Sequence, residues 1–202
     1  MMKIIIWILA LIPIVYMSFR YSFEFGWHWL YVVVDFVHKY FGVYLGESLS
    51  HPVTFLQDTT AKTALNMFIV VLALQPLYAY LKINLLKYRR IIGLFGFFYA
   101  ALHVMIFIAI KHNFHLDEVY AAAKEHIFIL FGMIAFAIFL IMAVTSIDFL
   151  YKRFASWHKL FYIAMIFIII HFLFAHKTIS FEFIVYTITI SAFLALRLVK
   201  SG

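Results

Sequence analysis

Long apolar runs separated by short polar ones set the pattern of this 202-residue chain. Apolar stretches of roughly 16–22 residues, enough for an α-helix to cross a hydrocarbon core about 30 Å thick, predict helices near 4–19, 63–81, 91–110, 127–147, 157–174 and 181–199. The segment 23–50, FEFGWHWLYVVVDFVHKYFGVYLGESLS, is also apolar, but as a span it would hold Asp35, His38 and Lys39 at mid-membrane. Charges are costly there, so the segment is predicted to lie along the outer interface, anchored by Trp27 and Trp29. Met1-Met2-Lys3 followed by an apolar run has the look of a secretion signal, yet no small-x-small cleavage pattern follows Tyr16-Met17-Ser18, and a retained helix is expected. Without repeats or Gly/Ser linkers, the pattern predicts one all-α domain over 1–202: a polytopic membrane protein built as a six-transmembrane-helix bundle.

Composition agrees with that class. The chain is 67% hydrophobic and 21% aromatic, with a mean hydropathy of +1.03, beyond the range of a water-soluble domain of this length. It has no cysteine, which excludes disulfides, thiolate zinc sites, iron–sulfur clusters and cysteine nucleophiles. Chemistry must rest on His, carboxylates, Lys, Arg or a bound cofactor.

Charge orients the bundle. With a cytoplasmic N-terminus, Lys3, Lys82, Lys87, Arg89, Arg90, Lys152, Arg153, Lys159, Arg197 and Lys200 face inward, against Arg20, Lys39, Lys62, Lys111, Lys124 and Lys177 outward. The inward loops are also shorter, so the positive-inside bias puts both termini in the cytoplasm. The net charge of +7 is then a topology signal and a contact for anionic lipid; no soluble basic domain points to nucleic acid.

Depth sorts the histidines. At ~1.5 Å per residue, His103 lies about 18 Å and His171 about 22 Å from the inner end of their helices, while His158 lies about 3 Å from it. Two imidazoles at matched depth on parallel helices, with no carboxylate at that level, are poor zinc ligands and suitable axial ligands for a haem iron. Gly93, Gly96, Ala100 and His103 share one helix face and leave a shallow groove for a flat macrocycle; ordinary helix packing produces such a stripe as well. His158 and His171 sit about 140° apart on an ideal helix, so either that helix is distorted or the two face different neighbours. Arg89 and Arg90, with Lys87 and Lys159, are either inner-loop charges or partners for haem propionates or a flavin phosphate. The remaining histidines, at 28, 38, 51, 112, 115, 126 and 176, are scattered over outer loops and helix ends, where interfacial solvation is expected. No general acid/base pair for substrate chemistry is visible.

Four stretches together resemble a known family: HPVTFLQDTTAKTALNMFIVVLALQPL (51–77), RRIIGLFGFFYAALHVMIF (89–107), Thr145-Ser146 and WHKLFYIAMIFIIIHF (157–172). They are similar to the ferric-reductase-like transmembrane superfamily, and within it to the MsrQ/YedZ family of haem-binding subunits of bacterial methionine sulfoxide reductase systems. The resemblance covers about residues 51–178. Thr60-Ala61 stands where the family usually has Thr-Gly, and Trp157 stands where a Leu usually precedes the histidine.

The resemblance implies haem b, one or two, held by His103, His158 and His171, with FMN as a further cofactor of the family. Electrons would come from the quinone pool or a cytoplasmic flavin reductase and pass through the bacterial inner membrane to a periplasmic molybdopterin-containing, MsrP-like reductase. A second haem at His158 would need a histidine near the inner end of the third helix, where this chain has Arg89 and Arg90. Two other readings stay open: a ferric or cupric reductase acting on metal at its outer face, and a haem-free proton-coupled transporter with buried histidines.

Overall fold

A computed structural model describes residues 2–24, 51–175 and 181–199. Most of the predicted interfacial segment, 25–50, lies outside the described residues. Every regular element among the described residues is helical: α1 (Met2–Glu24), α2 (Pro52–Leu81), α3 (Arg89–Met105), α4 (Leu116–Glu125), α5 (Ile127–Thr145), α6 (Asp148–Phe154), α7 (Leu160–Ala175) and α8 (Phe181–Val199). A 3-10 turn, Leu86–Tyr88, leads into α3, and a π-helical turn, Ile106–Lys111, extends it.

Four stretches are long and apolar enough to cross a membrane: Pro52–Leu81, Leu86–Lys111, Ile127–Thr145 and Asp148–Ala175. Met2–Ser18 and Phe181–Leu196 are shorter apolar helices. The chain is an all-helical membrane protein. Its outward faces are apolar, as lipid requires: Ile8, Val15, Leu140, Ile166 and Ile188 are all exposed.

Three expectations are corrected. The second helix starts at Pro52, not near 63. Proline suits a first helical turn, and the polar residues that interrupt the apolar run there do not break the helix: Asp58 is exposed, and Lys62 reaches Glu182 at the start of α8, 2.8 Å away. Two short helices, α4 and α6, were not expected, because each is too short and too polar to register as an apolar run. Residues 155–159 form a 3-10 turn in place of the first turn of the 157–174 helix, so the ideal-helix angle between His158 and His171 does not apply.

Neighbours pack in pairs, α2 along α3 and α5 along α7, and an aromatic cluster joins the pairs. Phe68 of α2 stacks on Phe139 of α5 with ring centres 4.1 Å apart, and Phe161 of α7 meets both edge-on. Tyr99 of α3 is fully buried and donates its hydroxyl hydrogen to the Ala10 carbonyl, which ties α1 to the bundle. Gly96 exists for this packing: a Cβ there would stand 2.6 Å from the Phe68 ring. The small-residue stripe is therefore not an open groove at Gly96; a phenyl ring fills it.

Candidate functional site

Four helices converge on His103 and His171. His103 lies in the last turn of α3 before the π-helical turn, His171 in the last turns of α7, and their ring centres are 6.5 Å apart with planes at 81°. Each ring is held from behind. His103 Nδ1 is 3.0 Å from the Gln57 carbonyl oxygen in α2, and His171 Nδ1 is 2.7 Å from the Phe128 carbonyl oxygen in the first turn of α5. A carbonyl oxygen only accepts, so Nδ1 carries the proton in both rings and Nε2 carries the lone pair. A metal-ligating imidazole is held in this way.

The spacing suits a shared ion. Two imidazoles bound through Nε2 to one metal place their ring centres about 6 Å apart, for metal–nitrogen bonds of about 2 Å. Among the described residues no cluster of three or more His, Asp or Glu side chains surrounds the pair or any other point. The donor set is thus two neutral nitrogens, and His103 and His171 would be the residues to hold a haem, whose macrocycle would supply the remaining ligands. Gly132 of α5 completes the cradle. A Cβ there would fall 2.7 Å from His171 Nδ1 and 2.8 Å from its Cε1.

His158 is not part of this pair. It sits in the 3-10 turn before α7, at the opposite end of the bundle, against Tyr151 with ring centres 5.0 Å apart. Its Nε2 is buried without a hydrogen-bond partner. Beside it opens a cavity of about 340 Å³ whose walls include Lys87, Arg89, Arg90, Gly93, Ser146 and Tyr151. Arg89 lies over the Phe161 ring at 5.8 Å, and Arg90 is paired with Asp148 at the start of α6. The structure therefore groups Arg89, Arg90 and His158 around one space and keeps them apart from His103 and His171.

Of the other histidines, 28, 38 and 176 lie outside the described residues. His112 pairs with Glu118 at 3.3 Å, while His126 is exposed and its ring stacks on Phe128, 5.6 Å away. Phe128 in turn lies 5.8 Å from the His171 ring. Sequence reasoning missed the seats of the pair, Gln57 and Phe128, because a backbone carbonyl leaves no mark in residue type. Gly132 did leave one, as the only glycine in the 127–147 run.

Comparison with known proteins gives the family. Residues 59–187 match the family described as ferric reductase like transmembrane component. Proteins named protein-methionine-sulfoxide reductase heme-binding subunit MsrQ, from Brucella ovis and Brucella canis, are each 31% identical over 179 residues, covering 85% of this chain and 81% of theirs. No solved structure matches. The chain belongs to the ferric-reductase-like transmembrane family and, within it, to the MsrQ family.

Proposed function

We propose that this chain is a haem b-binding membrane subunit that carries electrons to a protein-methionine-sulfoxide reductase. The observation that carries the reading is the opposed pair His103 and His171, each with Nδ1 tied to a helix carbonyl. Held by these two residues, haem supplies a one-electron carrier inside an apolar bundle. The chain's own part is to fix both tautomers, to exclude water with apolar helices, and to connect the pair to the two ends of the bundle. Support for haem also comes from the name of the relatives, which are heme-binding subunits.

The cavity at His158 is the place where electrons arrive. Lys87, Arg89 and Arg90 favour an anionic group there, and the buried Nε2 of His158 offers a hydrogen-bonding or ligating atom. Quinol, the FMN of a flavin reductase, or a second haem with His158 as its one protein ligand would each use these groups. The clustering of cations at this end favours a cytoplasmic orientation for it in the bacterial inner membrane, with both termini inside and six spans counting α1 and α8. Electrons then leave at the other end, where Phe128 links His171 to the exposed His126. The acceptor there is a periplasmic, MsrP-like molybdopterin reductase, and the single domain 1–202 needs no catalytic site of its own.

A reduced-minus-oxidised spectrum of protein purified after haem-replete expression tests this. A b-type band is expected, and its absence refutes the reading in favour of a haem-free transporter. Direction is tested in right-side-out vesicles, where a membrane-impermeant oxidant outside is expected to reoxidise haem that has been reduced from within. Reoxidation from the inside alone overturns the orientation. Reduction of added ferric or cupric chelates without a partner reductase would favour the direct metal-reductase reading.

A further inference from the structure

The two imidazoles of the pair are seated by the same construction with two differences, a methyl group and a competing hydroxyl. Each donates Nδ1–H to a carbonyl within a neighbouring helix, Gln57 or Phe128. By helix geometry that carbonyl already accepts the N–H four residues on, from Ala61 or Gly132, and the Gln57 carbonyl is shared further with the Thr60 hydroxyl, which donates to it at 3.0 Å. The Cα–Cβ bond of a helical residue tilts toward the N-terminus, which leans the fourth residue's side chain back over that carbonyl. At 132 there is no side chain, and the His171 ring occupies the space a methyl would take. At 61 the methyl is present. The hydrogen bond is 2.7 Å at the glycine seat and 3.0 Å at the alanine seat.

We propose that residues 132 and 61 are positioning residues: by admitting or obstructing each imidazole at its helix carbonyl, they set the strength of the two Nδ1–H···O=C bonds and so the reduction potential of the bound iron. The proposal rests on the haem reading above. A shorter bond draws the Nδ1 proton toward the carbonyl and makes Nε2 a stronger donor, which stabilises the oxidised metal. His171 is therefore the electron-rich ligand and His103 the weaker one. The asymmetry lies outside the ligands themselves, in the methyl at 61 and the Thr60 hydroxyl that shares the Gln57 carbonyl.

Redox titration and ferric spectra of the haem-loaded full chain test this with three variants. In Gly132→Ala the methyl displaces His171 from Phe128, so the midpoint is expected to rise. The oxidised-to-reduced ratio at fixed potential shifts by up to about tenfold, or about 59 mV for one electron, and in the extreme the low-spin signal is lost. Ala61→Gly removes the methyl at the other seat, leaving the Thr60 hydroxyl in place, and is expected to lower the midpoint by a smaller step. Gly96→Ala is the control. It creates similar crowding, 2.6 Å from Phe68, away from both seats, and is expected to leave spectrum and midpoint unchanged.

A wild-type spectrum and midpoint in Gly132→Ala overturns the proposal, as does an equal shift in Gly96→Ala or a raised midpoint in Ala61→Gly. Should Gly132→Ala not accumulate, Ala61→Gly decides alone, since removing a methyl crowds nothing: a lowered midpoint supports the proposal, and an unchanged or raised one overturns it. Wild-type protein without haem would refute the functional reading itself. Wild-type protein with haem and unresponsive variants would refute only the seats.

Discussion

At one end of the bundle two histidines on α3 and α7 face each other, each locked by a carbonyl of a third or fourth helix. At the other end a single histidine, in a 3-10 turn, looks into a cationic cavity with its Nε2 unpartnered. The residue type is the same, and His158 too has a backbone hydrogen bond, with Thr145, but what surrounds the other ring nitrogen differs. The first arrangement is closed: both tautomers are fixed and the two rings lie 6.5 Å apart, which would suit a permanent ligand sphere. The second is open, with positive charge, a hydroxyl-bearing Tyr151 and room for a group that comes and goes. A cofactor held for good and a donor met in passing would need these two kinds of place, which lie at opposite ends of the bundle.

Substitutions break or sharpen that contrast. The largest effect is expected at the closed end, where His103→Ala and His171→Ala should each abolish or convert the low-spin haem signal and look alike, because one iron needs both bonds. Loss of the signal in His158→Ala and its retention in His171→Ala would reverse the assignment of the two ends. At the open end, His158→Ala should keep the spectrum and slow reduction by the donor roughly tenfold, about the worth of one hydrogen bond to a charged group, as read by stopped-flow. Arg89→Gln should slow the same step several-fold, with a weaker dependence on salt than wild type. Asp148→Asn is expected to do least. It frees Arg90 from an exposed ion pair whose two side chains are 50% and 89% accessible, a contribution to stability below about 1 kcal/mol, which thermal unfolding in detergent would register as little or no change.

How far the sequence could be read depended on what kind of atom does the work. Apolar runs located the four long helices, and counting residues from their ends put His103 and His171 at one depth, because a helix rises uniformly. The same counting put His158 at the other end, and only its ideal-helix angle to His171 failed, since nothing in ASWHK announces a 3-10 turn. It also missed the first turns of α2, where Gln57, Asp58 and Lys62 interrupt the apolar run without ending the helix. That gap mattered, because Gln57 supplies one seat of the pair. Backbone carbonyls are invisible in residue type, and Gly132 acquires a meaning only once α7 is known to pack against α5. The stripe Gly93, Gly96, Ala100 was legible as a face and misleading as a groove, since the ring that fills it at Gly96 comes from Phe68 in another helix.

The central claim is that His103 and His171 hold one iron between them, and the ferric electron paramagnetic resonance spectrum of the wild-type protein tests it most directly. Ring planes at 81° on opposite sides of a haem predict a low-spin signal of the strongly anisotropic kind that perpendicular imidazoles produce. A high-spin ferric signal as the main species, or a low-spin signal that survives in both His103→Ala and His171→Ala, would contradict it.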